Sequence, residues 1–310
     1  MALTGLNNSL NTTRWISTRV ITHFMTEDST ATSTQIPSTE SVTALVILSA
    51  LAALIGSLGN ALVLLTVFKN GTLRTIPDFF ITSLAFSDFT VCALFLPMSI
   101  HRFYQMNTEE DKDTFALTTK FIGHISMVAS ATNLFAVTVD RVIAIGFPFK
   151  YLAVVTKRNA AISIAVVWII SMTLGALITA DLMSSSVIGF YSGIMLLNTI
   201  AMYIYLFVTA KRQENRIQNI TTQISDSVAV EKKVAKTIFT VVGLYAISWL
   251  PTLLLPIFTK PTSIKFKQAF PWVKLILACN SALNPFVYCL RSQKYRLAFY
   301  KILHIHQQRP

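Results

Sequence analysis

Seven long apolar runs dominate the chain, near residues 43–68, 77–104, 115–145, 158–180, 186–210, 234–258 and 268–290, with polar connections between them. A hydrocarbon core about 30 Å thick is crossed by roughly twenty consecutive, mostly apolar residues in an α-helix. The pattern predicts an all-α membrane protein, a seven-transmembrane helix bundle. Past the seventh run, from Arg291 to Leu303, basic residues alternate with Tyr295, Leu297, Phe299, Tyr300 and Ile302. That alternation predicts a short C-terminal amphipathic helix, an eighth, lying along a membrane face. The first forty residues are polar, rich in Ser and Thr, and lack the apolar core of a signal peptide. The expected organisation is a disordered tail over 1–41, a seven-helix body over 42–290, and an amphipathic helix with a short tail over 291–310.

Composition agrees with this class. The 310 residues are 53% hydrophobic and 13% charged, against about 25% charged in soluble domains. Placing the N-terminus outside puts most of the 26 Lys and Arg in or beside cytosolic connections, among them Lys69, Arg74, Lys150, Lys157, Lys211, Arg212, Lys232, Lys233 and Lys294. The positive-inside rule then predicts a multi-pass plasma-membrane protein with N-terminus outside and C-terminus inside. The net charge of +12 follows from the same bias and implies no nucleic acid. The triplets at Asn7 and Asn11 would become extracellular glycosylation acceptors. All three cysteines, Cys92, Cys279 and Cys289, fall inside or at the end of apolar runs, so no disulfide is expected.

Polar residues inside apolar runs are costly and need partners or a task. The first run carries Asn60, the second Asp88, the third Ser130 and Asp140-Arg141, and the seventh Asn280, Ser281 and Asn284-Pro285 followed by Tyr288. The sixth holds Ser248-Trp249-Leu250-Pro251, where the proline removes a helical hydrogen bond and favours a kink. Glu231 precedes the sixth run, and Phe147-Pro148-Phe149 follows the third.

In order and spacing, Asn60, Asp88, Asp140-Arg141, Trp168, Trp249-Pro251 and Asn284-Pro285-Tyr288 resemble the rhodopsin-like G-protein-coupled receptors over residues 43–303. The fifth run alone lacks the family's marker proline. The resemblance implies a receptor that binds an extracellular or membrane-derived ligand within the bundle. It then activates a heterotrimeric G protein as the sixth helix moves outward. Arg141 would be held by Asp140 and Glu231 at rest. Tyr288 would meet Tyr205, with Tyr203 a rival, once the bundle opens. Phe147 and Pro148 would form the apolar knob for the G protein, and Trp249 the toggle at the pocket floor beside Pro251. Asp88, Ser130, Asn280 and Asn284 would hold a sodium ion, the alternative being a hydrated network without one. Arrestin would be a further partner. Since no Ser or Thr follows Ser292, its phosphorylation sites would be Thr221, Thr222, Ser225 and Ser227.

The departures narrow the ligand. The missing outer disulfide, the very short second outer loop near Asp181–Ser186 and the absent fifth-run proline resemble the melanocortin receptors and their lipid, cannabinoid and adenosine relatives. The melanocortin acids for calcium and basic peptide are replaced by Met98, Ala116 and Lys120. Gly123 stands where amine receptors carry Asp, and Ala278 where opsins carry Lys. The expected pocket is formed by Met98, Phe121, Gly123, His124, Met127, Trp249 and Phe258, with Arg102, Lys120, Lys267 and Lys274 around its mouth. Such a pocket suits a small amphiphilic or anionic ligand, the plainer reading being snorkelling lysines and core packing. No HExxH, GxSxG or His/Cys metal spacing occurs, so no enzyme is predicted. A seven-span transporter or a non-signalling receptor partner is the alternative.

Overall fold

The computed structural model describes residues 39–104, 114–147, 151, 155–184, 186–218, 243–260 and 262–303. Thr43–Pro310 fall in one compact unit, which contains the helix bundle. No strand occurs among the described residues.

Helix α1 is Thr39–Lys69. The second helix, α2, begins at Ile76, is α-helical to Thr90, π-helical over Val91–Phe95 and α-helical again over Leu96–Tyr104. Then follow α3 (Thr114–Gly146), α4 (Lys157–Thr179), α5 (Ser186–Gln218), α6 over its described part (Gly243–Phe258), α7 (Ile264–Arg291) and α8 (Gln293–Ile302). Five helices, α1 to α5, are long and apolar enough to cross a bilayer. Helix α7 joins them when taken with α8, which turns away by 97°, and α6 is a shorter apolar helix. These are the seven helices of the bundle.

Local sequence explains the main irregularities. Pro97 has no N–H to give to the carbonyl four residues back, and its ring crowds that carbonyl. The helix widens just before it, and the Leu96 N–H reaches the Val91 carbonyl five residues back. Ser292 ends α7 and caps α8: its N–H bonds the Tyr288 carbonyl, and its hydroxyl accepts from the Tyr295 N–H. One polar residue with extended backbone thus ends one helix and starts the next.

Helices α2 and α3 are the most enclosed. About half of their most apolar stretch is buried, 56% and 50%, against 22% for α1 and α4. Helix α3 packs on α2, α4 and α5, and α7 packs on α2. Close approach of α1 to this centre depends on Gly56, where an added Cβ would overlap Cys92 and sit 3.1 Å from the Ala282 backbone. Helix α8 is only partly a membrane-surface helix. Tyr295, Ala298 and Phe299, one helical stripe, are buried against Val63, Val67, Leu73 and Ala85, while Leu297 is exposed. The expected apolar face is divided between protein and lipid.

Candidate functional site

Asp88 is fully buried on α2 and joins three helices. Its Oδ2 accepts from Asn284 Nδ2 of α7 at 2.6 Å, and its Oδ1 from the Ser130 hydroxyl of α3 at 3.3 Å. The Ser281 hydroxyl also faces it. One turn of backbone away, Asn60 Nδ2 of α1 donates to the Ser281 carbonyl at 3.1 Å and to the Gly56 carbonyl at 2.9 Å. A second polar tie runs from Trp168 Nε1 of α4 to Ser83 Oγ of α2, 3.1 Å. Asn60, Asp88, Ser130, Ser281 and Asn284 therefore meet in one place. Asn280 stands beside them on α7, lining a cavity that adjoins the cluster.

Toward one end of the bundle, Arg141 Nη2 lies 3.1 Å from Asp140 Oδ2. Asp140 Oδ1 accepts from the Tyr151 hydroxyl at 3.0 Å. Burial, then the Asp140 carboxylate, push the Tyr151 phenol up to about 12, so it is a neutral donor at ordinary pH. Sequence reading missed Tyr151, which lies in a connection with no periodicity to mark it. Tyr205 does not reach this end of the bundle interior. It is 41% exposed, with its hydroxyl against Gly146, while the Tyr203 hydroxyl faces Thr138 and Arg141. Two residues along a helix are about 200° of rotation, so only one of these tyrosines can point inward. Tyr288 is packed on Tyr295, with ring centroids 6.0 Å apart. Phe147 is exposed. Glu231, Pro148, Asn7 and Asn11 lie outside the described residues.

Tyr295 of α8 makes a further link at this end. Its hydroxyl donates to Asp78 Oδ1 at 3.1 Å, while Asp78 Oδ2 accepts the N–H of Thr75 at 3.1 Å and its hydroxyl at 2.5 Å. Asp78 thus closes the first turn of α2 and anchors α8 at once. Burial, then the Asp78 charge, raise the Tyr295 phenol well above its ordinary value.

On the opposite side of Asp88, the cavity runs among α2, α3, α6 and α7. Gly123, Met127 and Ser130 line it from one stripe of α3, with Trp249 of α6 and Lys274 of α7. Trp249 is 1% exposed and lies against Tyr245, one turn earlier, with centroids 5.6 Å apart. Sequence reading missed Phe95. Its ring covers Gly123 so closely that an added Cβ would fall 2.5 Å from a ring carbon.

Several residues expected in this pocket lie elsewhere. Phe258 is 77% exposed and points out of the bundle. His124 faces α4, its Nδ1 3.0 Å from Thr179 Oγ1. Phe121 is partly exposed, and Met98 is half-buried off the cavity. Phe121 and His124 are rotated from the Gly123 stripe by about 200° and 100°, which accounts for both. Arg102 and Lys120 do not line the cavity, but their charges act on Lys274. The cysteines are all free thiols.

Comparison with known proteins agrees with this geometry. The family described as 7 transmembrane receptor (rhodopsin family) matches residues 59–180 and 179–288. Melanocortin receptor 3 of Rattus norvegicus is 30% identical over 268 residues, covering 79% of this chain and 80% of that protein. Melanocortin receptor 3 of Homo sapiens is 28% identical over 274 residues, covering 81% and 82%. The alpha-1A adrenergic receptor of Oryzias latipes is 27% identical over 312 residues, covering 82% of this chain and 65% of that receptor.

Proposed function

Because the chain belongs to the rhodopsin family of seven-transmembrane receptors, and is therefore a G-protein-coupled receptor rather than an enzyme or transporter, we propose that it works in the plasma membrane as an Arg141-gated switch. Its N-terminus lies outside, following the positive-inside bias, so the Arg141 end faces the cytosol and the Lys274 end faces outward. The observation that carries this reading is the Arg141–Asp140–Tyr151 arrangement, with the Tyr203 hydroxyl facing the same arginine.

At rest, Asp140 holds the guanidinium, and Tyr151 keeps that carboxylate oriented by occupying its other oxygen. A ligand reaching Trp249 favours a second arrangement in which the cytosolic part of the sixth helix moves out. A ligand shifts such an equilibrium only by its differential affinity for the two states. Arg141 and Tyr203 then line a crevice that admits a helix of the G protein, with Tyr288 as the further phenol. Glu231 would add a second carboxylate for Arg141 at rest, so that Glu231→Ala raises basal output. Phosphorylation at Thr221, Thr222, Ser225 or Ser227 would recruit arrestin.

The family also implies a sodium ion beside Asp88. The donor set is suitable: one carboxylate, the hydroxyls of Ser130 and Ser281 and the side-chain amides of Asn280 and Asn284, oxygen donors being what a hard cation takes. The partners of Asp88 are all neutral, which leaves its charge for a cation to offset. When bound, sodium supplies that positive charge. Asp88 itself ties α2 to α3 and α7.

The test is basal second-messenger output in cells across a panel of G-protein classes, against Arg141→Ala at equal surface expression. Output above the variant, increased further by Tyr151→Phe, is the expected result. Equal output from wild type and Arg141→Ala, both without ligand and with any ligand found to bind, would refute the switch.

A further inference from the structure

Lys274 sits in the middle of α7 between buried Val273 and Leu275; it is itself exposed, and its side chain lines the cavity that also touches Phe95 and Trp249. Its ammonium lies 4.6 Å from the ring centre of Phe270, one turn back on the same helix. An aromatic face is a weak substitute for a counter-ion. The charges acting on Lys274 are those of Arg102 and Lys120, both of its own sign, and Lys274 and Lys120 in turn act on His124. Among the described residues, no carboxylate forms an ion pair with Lys274 or Lys120. Asp88, which does not line the cavity, is bonded to Ser130 and Asn284 instead. Like charges gathered at one end of the bundle repel, and a single anion between them removes the repulsion.

The surrounding surface suits such an anion attached to an apolar body. Phe95, Met127 and Trp249 form apolar walls, while Ser126 and Asn280 supply neutral polar groups farther in. The Phe95 ring occupies the space over Gly123, so this part of α3 offers no charge of either sign. Among the described residues, the charge on the cavity wall comes from Lys274.

We propose that the cavity takes the terminal oxyanion of an extracellular or membrane-derived ligand, a carboxylate or phosphate monoester, with Lys274 as its charge partner and Phe95, Met127 and Trp249 as its apolar wall. The inference rests on the receptor reading and specifies the ligand class of the same site. Lys120 draws the anion inward, and Lys274 holds it. A lysine ammonium is a point charge with three donors and accepts either headgroup. Lipids and water-soluble metabolites both carry such groups, and separate probes distinguish them.

The experiment measures the thermal unfolding midpoint of the purified full-length receptor in zwitterionic nanodiscs. Inorganic phosphate and acetate represent soluble anions. Oleate and lysophosphatidate represent lipids, with methyl oleate and monoolein as uncharged counterparts. An oxyanion probe is expected to raise the midpoint with saturation, while its uncharged counterpart does not. Lys274→Met is expected to weaken that binding by about tenfold or more, the effect of one charge-assisted contact. Lys274→Arg, which keeps the charge, stays within about threefold of wild type by the same reckoning. The midpoint of each variant without probe verifies its folding. Equal stabilisation by acid and ester, undiminished binding to Lys274→Met, or no stabilisation by any anion would each overturn the proposal. The readout does not involve the G protein. A receptor that binds the anion but lacks Arg141-dependent output keeps this site and loses the switch. One with Arg141-dependent output and no anion binding loses only the oxyanion.

Discussion

Asp88 and Lys274 are two charged side chains on packed helices, Lys274 lining a cavity and Asp88 beyond it, bonded to the lining residue Ser130, and they are accommodated in opposite ways. Asp88 is fully enclosed and accepts hydrogen bonds from Asn284 and Ser130. Lys274 touches an aromatic ring, and the charges acting on it among the described residues are the cations Arg102 and Lys120. A buried charge with its donors in place fixes helices relative to one another, whereas an exposed cation beside others of its sign favours an arriving anion. The first arrangement is structural and the second receptive, though either residue alone reads as a charge in an apolar helix.

The largest effect that would break this contrast is expected from Asn284→Leu. It leaves Asp88 Oδ2 without its 2.6 Å donor, and a hydrogen bond to a charged group is worth about 2–3 kcal/mol. The unfolding midpoint should fall sharply; a midpoint within error of wild type would mean that Asp88 is not held as described. Next is Gly123→Ala, whose methyl meets the Phe95 ring at 2.5 Å. Overpacking of this kind costs about 1–3 kcal/mol, and the variant should also reduce binding of any ligand that competes for the Trp249 cavity. Lys274→Met has the opposite sign. Removing one of several neighbouring like charges should raise the ligand-free midpoint slightly. A fall would show that Lys274 already has a partner.

Tyr295→Phe removes one hydrogen bond to the Asp78 carboxylate, which retains Thr75, so the loss should be about 1.5 kcal/mol, the low end for a charged acceptor. The smallest effect is alkaline. The Tyr151 phenol is raised from 10.0 to about 12, so the folded state keeps its proton where the unfolded state has lost it. That contribution is complete below pH 10 and disappears as pH rises through about 12. The decline of the midpoint over this window should be shallower in Tyr151→Phe; identical slopes would remove Tyr151 from the Asp140 site.

The polar cluster was legible in the sequence because Asn60, Asp88, Ser130, Asn280 and Asn284 stand out in apolar runs and need one another. The choice between Tyr203 and Tyr205 was not, because adjacent tyrosines are separated only by the rotation of α5 about its axis, which packing decides. Phe258 illustrates the same limit: an aromatic near a helix end can face the bundle or the lipid, and here it faces out. Tyr245 could have been found from its one-turn spacing to Trp249. Phe95 could not, since its position depends on the widened turn before Pro97 and on the bare backbone of Gly123. The eighth helix was visible as an alternation of basic and apolar residues, but its division between protein and lipid depended on what α1 and α2 present to it.

The buried stripe of α8 also has a mechanical consequence. With Tyr295 bonded to α2, and Ala298 and Phe299 seated among residues of α1 and α2, this corner acts as a fixed mounting. The 33 residues of α5 form a mast about 50 Å long, so tilting it by about 5° around its midpoint carries each tip through about 2 Å. Leverage of that kind needs an anchored side to push against, and α8 supplies it.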